Sequence, residues 1–170
     1  MLYEILTRGR LTSNNIVNGT DITVAQLLGK SSIVERGIID IIGLKDKVNE
    51  IKSFIDGMQD FYEVGQYVFV HGWIPVKYDN NKLKADKNYK KASKEEWSKS
   101  RWYEWQKFYG ANVVIKDKII VCGHRPSRYG YIFDTNRKHT CCDPFYGNGV
   151  LAIDGSVMSS GQVNVVVLEP

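Results

Sequence analysis

The sequence predicts an α/β fold, helices first and strands after, and three observations predict it. Leu44, Val48, Ile51 and Ile55 recur at steps of three and four with Lys and Glu between them, the period of a helix with one buried stripe. Tyr67-Val68-Phe69-Val70 and Ile119-Ile120-Val121-Cys122 are unbroken apolar runs, as strands buried on both faces are. Each run stops at a histidine beside a glycine, His71-Gly72 in the first and Gly123-His124 in the second.

In chain order, Leu2 to Thr7 reads as the end of a helix stopped by Gly9. Asn18-Gly19-Thr20-Asp21 reads as a turn and then an N-cap, after which Val24, Leu27 and Leu28 follow at helical spacing and Gly29 closes the helix. The stripe from Leu44 to Ile55 is the clearest helix. Phe61 to Val64 and Gln66 to Val70 read as two strands around Gly65, a hairpin signal. Val76 to Ser93 is polar and lysine-rich and predicts a long exposed loop. Trp97 to Tyr109 returns to a helical, aromatic pattern, with its rings at packing positions. Strands are predicted at Val113–Ile115, Ile119–Cys122, Val150–Ile153 and Val163–Leu168. The whole chain, 1–170, reads as a single domain, mainly helical over 1–58 and mainly strands over 59–170 with one long loop and a helix.

Composition places few limits on function. The 170 residues suffice for one domain with a real core, and 43% hydrophobic with 25% charged residues is ordinary for a globular protein. No apolar run approaches the ~20 residues of a membrane span, and no charged-then-apolar leader opens the chain, so no membrane role is expected. A net charge of +4 permits anionic ligands without singling out nucleic acid. The three cysteines, Cys122, Cys141 and Cys142, are odd in number and lack a Cys-x-x-Cys spacing, which points to reduced thiols and a cytoplasmic location. Cys122, on the strand leading to His124, is expected to be a small buried hydrophobe.

His71 and His124 are the residues from which chemistry can be argued. Ligands gather outside the carboxyl ends of strands in open α/β sheets, and neutral imidazole is a common ligand of zinc, manganese and iron. A strand-end histidine standing alone is more often structural; two delivered to one sheet edge make a candidate metal site. Two ligands leave it incomplete, since a stable site needs about four. His139, in Asn136-Arg137-Lys138-His139, reads as a solvated loop residue.

These residues also carry a resemblance. Phe69-Val70-His71-Gly72 resembles the fourth sequence block of calcineurin-like metallophosphoesterases, and Val121-Cys122-Gly123-His124 resembles the fifth. Ile153-Asp154-Gly155 with Gly161 to Val167 resembles the closing hairpin of that domain, in the order found in the bacterial and phage serine/threonine protein phosphatase type. The first three blocks (Asp-x-His, Gly-Asp-x-x-Asp-Arg and Gly-Asn-His-Glu) do not occur, so the chain resembles the C-terminal part of such a phosphatase. The resemblance implies the C-terminal portion of a metallophosphoesterase-like β-sandwich flanked by helices. It implies a hydrolase acting on phosphoproteins or small phosphoesters. Its cofactors would be divalent metal ions, manganese first, with iron, zinc or magnesium as alternatives. It makes His71 and His124 ligands of one metal, and Arg101, in Trp97-Ser98-Lys99-Ser100-Arg101-Trp102, the phosphate-binding group. No catalytic residue is carried over, because the catalytic acid and the bridging Asp belong to the absent blocks. Pro126 stands where the wider superfamily has a second histidine, so no extra ligand compensates. The expectation is an enzyme family whose catalytic half is missing here, inactive or weak as this chain alone.

Two alternatives stand beside it. One is a half-enzyme completed by a second copy or a partner chain covering the missing half. The other is a non-catalytic binding module: Lys82 to Arg101 carries eight basic against three acidic residues, and Tyr89, Trp97, Trp102 and Trp105 lie within or next to it. Basic charge with stackable rings is how single-stranded nucleic acid is held, although no nucleic-acid motif accompanies it here.

Overall fold

In the computed structural model the chain divides into two compact units, Met1–Met58 and Gln59–Pro170. The structure describes residues 2, 5, 11–35, 38–39, 44–80, 82–136 and 140–169. The reading of 2–7 as a helix end therefore falls largely outside the described residues, and His139 lies outside them altogether.

The first unit is built from helices. α1 (Ser13–Val17) opens with a capping box in which Thr12 and Asn15 satisfy each other's orphan groups. α2 (Thr20–Leu28) begins after Gly19 and stops at Gly29, both left-handed, with φ 67° at Gly29. A two-stranded ladder, β1 (Val34–Glu35) with β2 (Ile38–Ile39), precedes α3 (Leu44–Asp56). Ile5, Val24, Ala25 and Ile33 form the buried centre, and Val48, Ile51 and Ile55 of the predicted stripe pack against it.

The second unit is organised on a mixed five-stranded sheet. Its strands are β3 (Phe61–Val64), β4 (Tyr67–Val70), β7 (Ile119–Cys122), β8 (Phe145–Gly147) and β9 (Val150–Ala152), in the order β3-β4-β7-β9-β8. β4, β7 and β9 run parallel, and the edge strands β3 and β8 are antiparallel to their neighbours. The chain is thus mixed α/β. Continuous apolar runs became the inner parallel strands because both of their faces are apolar. Glu63, Val68, Ile120 and Val150 align in register on one face, and Tyr62, Phe69, Val121, Leu151 and Tyr146 align on the other. The first face meets the main core, where Val68, Trp73, Ile74, Trp97, Trp105, Ile120, Cys122 and Phe145 are buried. Cys122 is the buried hydrophobe expected of it, and burial pushes its thiol pKa well up.

Several elements differ from the sequence expectation. Residues 76–93 are not a long loop. They form the hairpin β5 (Val76–Asp79) with β6 (Lys82–Ala85) and a 3-10 turn at Tyr89–Lys91. The reason lies in contacts that composition does not display. Asp86, 5% exposed, pairs with Lys77 at 2.8 Å and accepts from the Asn88 N–H. Tyr89, 3% exposed, donates to Glu63 at 2.6 Å. The predicted helix from Trp97 to Tyr109 breaks into α4 (Lys94–Ser100), opened by a Ser93–Glu96 capping box, and α5 (Trp105–Gly110). Val113–Ile115 joins no ladder. The segment 163–168 alternates in exposure as a strand does, with Val163, Val165 and Val167 exposed, but has no ladder partner among the described residues. α6 (Arg128–Thr135) and α7 (Val157–Ser160) were not anticipated. No helix among the described residues is long and apolar enough to cross a membrane.

Candidate metal centre

Parallel pairing of β4 with β7 aligns Phe69 with Val121, so the residues just beyond the two strands are neighbours as well. The Gly123 N–H donates to the His71 carbonyl at 2.9 Å and extends the ladder by one step. This brings the imidazoles of His71 and His124 to a ring separation of 5.0 Å, tilted by 51°. His124 holds its backbone at φ 64°, in the left-handed region that costs a non-glycine residue about 1 kcal/mol or more. Strain of this kind persists where the surroundings over-determine it, and it clusters at functional positions.

Trp102 forms one wall. Its ring lies edge-on to both histidines, 6.0 Å from His71 and 5.4 Å from His124. The turn carrying it is docked on Gly72: a Cβ there would stand 2.5 Å from the Arg101 carbonyl oxygen and 2.8 Å from that of Tyr103. The Trp73 N–H donates to the Ser100 carbonyl at 3.0 Å beside this contact. Glycine after His71 is therefore required by backbone approach, which is what positions the wall. The Trp102 backbone also favours the charged form of the His124 imidazole, against the loss of hydration.

Both histidines have pKa values below the ordinary 6.5. For His71 the main cause is loss of hydration, followed by the charges of His124 and Arg101, with Asp154 opposing. For His124 loss of hydration again leads, then Arg125, opposed by Asp154, Glu104 and the Trp102 backbone. Both are thus neutral near pH 7, the form that binds metal.

Asp154, which the sequence presents only as part of a closing hairpin, has a place at this edge. β9 is the third parallel strand, and Cys122 pairs with Ala152, so Asp154 follows the same edge two residues on. Its charge acts on both imidazoles. Its Oδ1 accepts from the Ser156 N–H at 2.8 Å, and its carbonyl accepts from the Ser127 N–H. The described residues contain no group of three or more His, Cys, Asp or Glu placed to hold a metal. The two imidazoles suit a divalent ion of the nitrogen-ligated kind, as half of a ligand set.

Arg101 stands at the C-terminal end of α4, half-exposed, with one guanidinium nitrogen 2.6 Å from Asp60 Oδ1. Its charge reaches His71. Arg125 is engaged by Glu104, and its carbonyl accepts from the buried Trp105 indole at 2.8 Å. The aromatic residues that suggested nucleic-acid stacking are placed otherwise: Tyr89, Trp97 and Trp105 are buried in the core, and only Trp102 of that set is exposed. Comparison of the chain with protein-family models, with curated proteins and with solved structures yields no match.

Proposed function

We propose that this chain carries part of the metal centre of a calcineurin-like phosphoester hydrolase. The observation that carries the proposal is the 5.0 Å juxtaposition of His71 and His124 at the carboxyl edge of parallel strands. His71 and His124 would be two ligands of one divalent ion, manganese first. Arg101 would meet a phosphoryl oxygen with the face of its guanidinium not turned to Asp60. A bound metal of this class polarises phosphoryl oxygens and acidifies water. The chain's own residues bind and orient: the Trp102 ring packs edge-on against both imidazoles and limits water there, and Arg101 supplies fixed positive charge. The substrate class is a phosphoserine or phosphothreonine protein or a small phosphoester. The family's other ligands belong to the three sequence blocks that do not occur in this chain, so hydrolysis by the chain alone should be absent or weak.

Calorimetric titration of manganese tests this. One ion should bind per chain, and His71→Ala or His124→Ala should each weaken binding at least ~10-fold. Equal affinity in wild type and both variants would sink the assignment. Hydrolysis of an aryl phosphate at a full metallophosphatase rate, dependent on manganese and His71, would overturn the expectation of weak activity.

One observation favours completion by a second chain. A β-sandwich needs a second layer on the sheet, and along the row Tyr62, Phe69, Val121, Leu151, Tyr146 the central Val121 and Leu151 are buried while the two outer tyrosines are 65% exposed and left for a partner. Sedimentation velocity should show association that grows with concentration and is reduced by Tyr62→Lys with Tyr146→Lys. A monomer at every concentration would count against completion.

A further inference from the structure

The lysine-rich hairpin that the metal centre leaves unused borders a groove. It is about 480 Å³ in volume and lies between β6 and the segment 112–116. Val114 and Ile115 form apolar walls with Ala85, and Lys84, Lys87 and Lys116 stand on the rim. Lys84 is paired with Asp79, both groups exposed, whereas Lys87 and Lys116 have no carboxylate partner among the described residues. The rim is thus positive and the interior apolar.

Both walls also carry free backbone. In the β5–β6 hairpin Asp79 opposes Lys82 and closes the turn, so the pairs alternate from there: Lys77 with Lys84 faces inward, and Tyr78–Leu83 and Val76–Ala85 direct their peptide groups outward. Among the described residues no strand pairs with β6 on its outer side. The backbone N–H and C=O groups of Leu83, Ala85 and Val114 have no hydrogen-bond partner on the groove side among the described residues. An edge strand with open peptide groups is a template for another strand, and apolar pockets beside it select alternate side chains.

We infer that this groove takes an extended, acidic peptide segment of a partner protein, which adds as a third strand to β6, seats alternate apolar side chains against Ala85, Val114 and Ile115, and places its carboxylates on Lys84, Lys87 and Lys116. The charge of the rim selects the occupant. A basic segment is repelled. A small anion alone leaves the apolar walls wet. Single-stranded nucleic acid lacks a stacking surface, because the lining contains no aromatic side chain. The inference stands apart from the phosphoesterase reading and involves neither histidine.

The test is fluorescence anisotropy of the full chain with a labelled hexapeptide alternating Glu and Val, in moderate salt. Saturable binding is expected, and the triple variant Lys84→Glu, Lys87→Glu, Lys116→Glu should weaken it at least ~10-fold. A peptide N-methylated on alternate amides should lose a similar factor, because strand addition uses those N–H groups. That arm needs no protein variant. Unchanged affinity in the triple variant would overturn the inference. So would equal binding of the N-methylated peptide, or stronger binding of oligothymidylate that is equally lost in the variant, since both describe a polyanion surface.

Discussion

Gly72→Ala should cost at least ~3 kcal/mol and lower the melting temperature by about 10 °C, although it adds one methyl group. The new Cβ would stand 2.5 Å from one backbone oxygen and 2.8 Å from another. Neither oxygen can rotate away as a side chain would, so the turn through residues 101–103 must lift. Lifting it opens the Trp73 N–H to Ser100 bond and carries Trp102 away from both imidazoles. Gly123→Ala is the matched control. It sits one strand over beside the other histidine, but its Cβ would meet its nearest neighbours at 3.8 Å, an ordinary contact. That variant should stay within about 1 kcal/mol of wild type. Thermal unfolding of both, with histidine proton resonances followed by NMR, checks the pair. Equal melting temperatures would mean that the Gly72 approach is not what holds the wall.

The left-handed backbone at His124 gives a related order of effects. His124→Gly relieves the strain that His124→Ala retains, so among variants lacking the imidazole the glycine form should be the more stable, by about 1 kcal/mol.

What the sequence made legible follows from which interactions are local. The strands at 61–64, 67–70 and 119–122 and the helix at 44–56 were readable, because apolar runs and a period of 3.6 declare themselves within a few residues. His71 and His124 were legible for the same reason, each ending such a run. Asp154 was not singled out, because its place at this edge depends on β9 joining β7 across a crossover, which nothing near residue 154 announces. By spacing alone Trp102 falls with Trp97 and Trp105 in one packed helical stripe. The break at 101–104 separates them: Trp97 and Trp105 enter the core, while Trp102 stays 54% exposed beside the histidines. That break answers to Gly72, 30 residues earlier. The hairpin at 76–85 was hidden by its lysines, which alternate along an exposed strand and so read as solvated loop. The apolar alternation at 163–168 was legible as a strand, but pairing needs a neighbour that local sequence cannot supply.

Glu63→Gln should destabilise the protein by about 1–2 kcal/mol at pH 7, and the loss should vanish in acid. Glu63 stands on an edge strand with its carboxylate 16% exposed, held by Lys118 at 2.7 Å, Lys90 at 2.7 Å and the Tyr89 hydroxyl at 2.6 Å. Those hydrogen bonds, Lys118 first, hold its pKa at about 2, against an ordinary value of 4.5. Lys90 is 57% exposed, and solvent screens its part of the interaction. The sign is that of a depressed carboxylate. Its contribution is complete above the unfolded value near 4.5 and is lost as pH falls through about 2. Wild type should therefore lose stability between pH 5 and pH 2 more steeply than Glu63→Gln, and the two curves should converge near pH 2. Glu63→Ala should be worse than the glutamine variant throughout, because it also leaves the buried Tyr89 hydroxyl without its acceptor. Urea unfolding at successive pH values reads all three. Curves that run parallel from pH 7 to pH 2 would show that the carboxylate contributes no charge-dependent stability, and the tie between β3, Lys118 and the 3-10 turn would then rest on apolar packing alone.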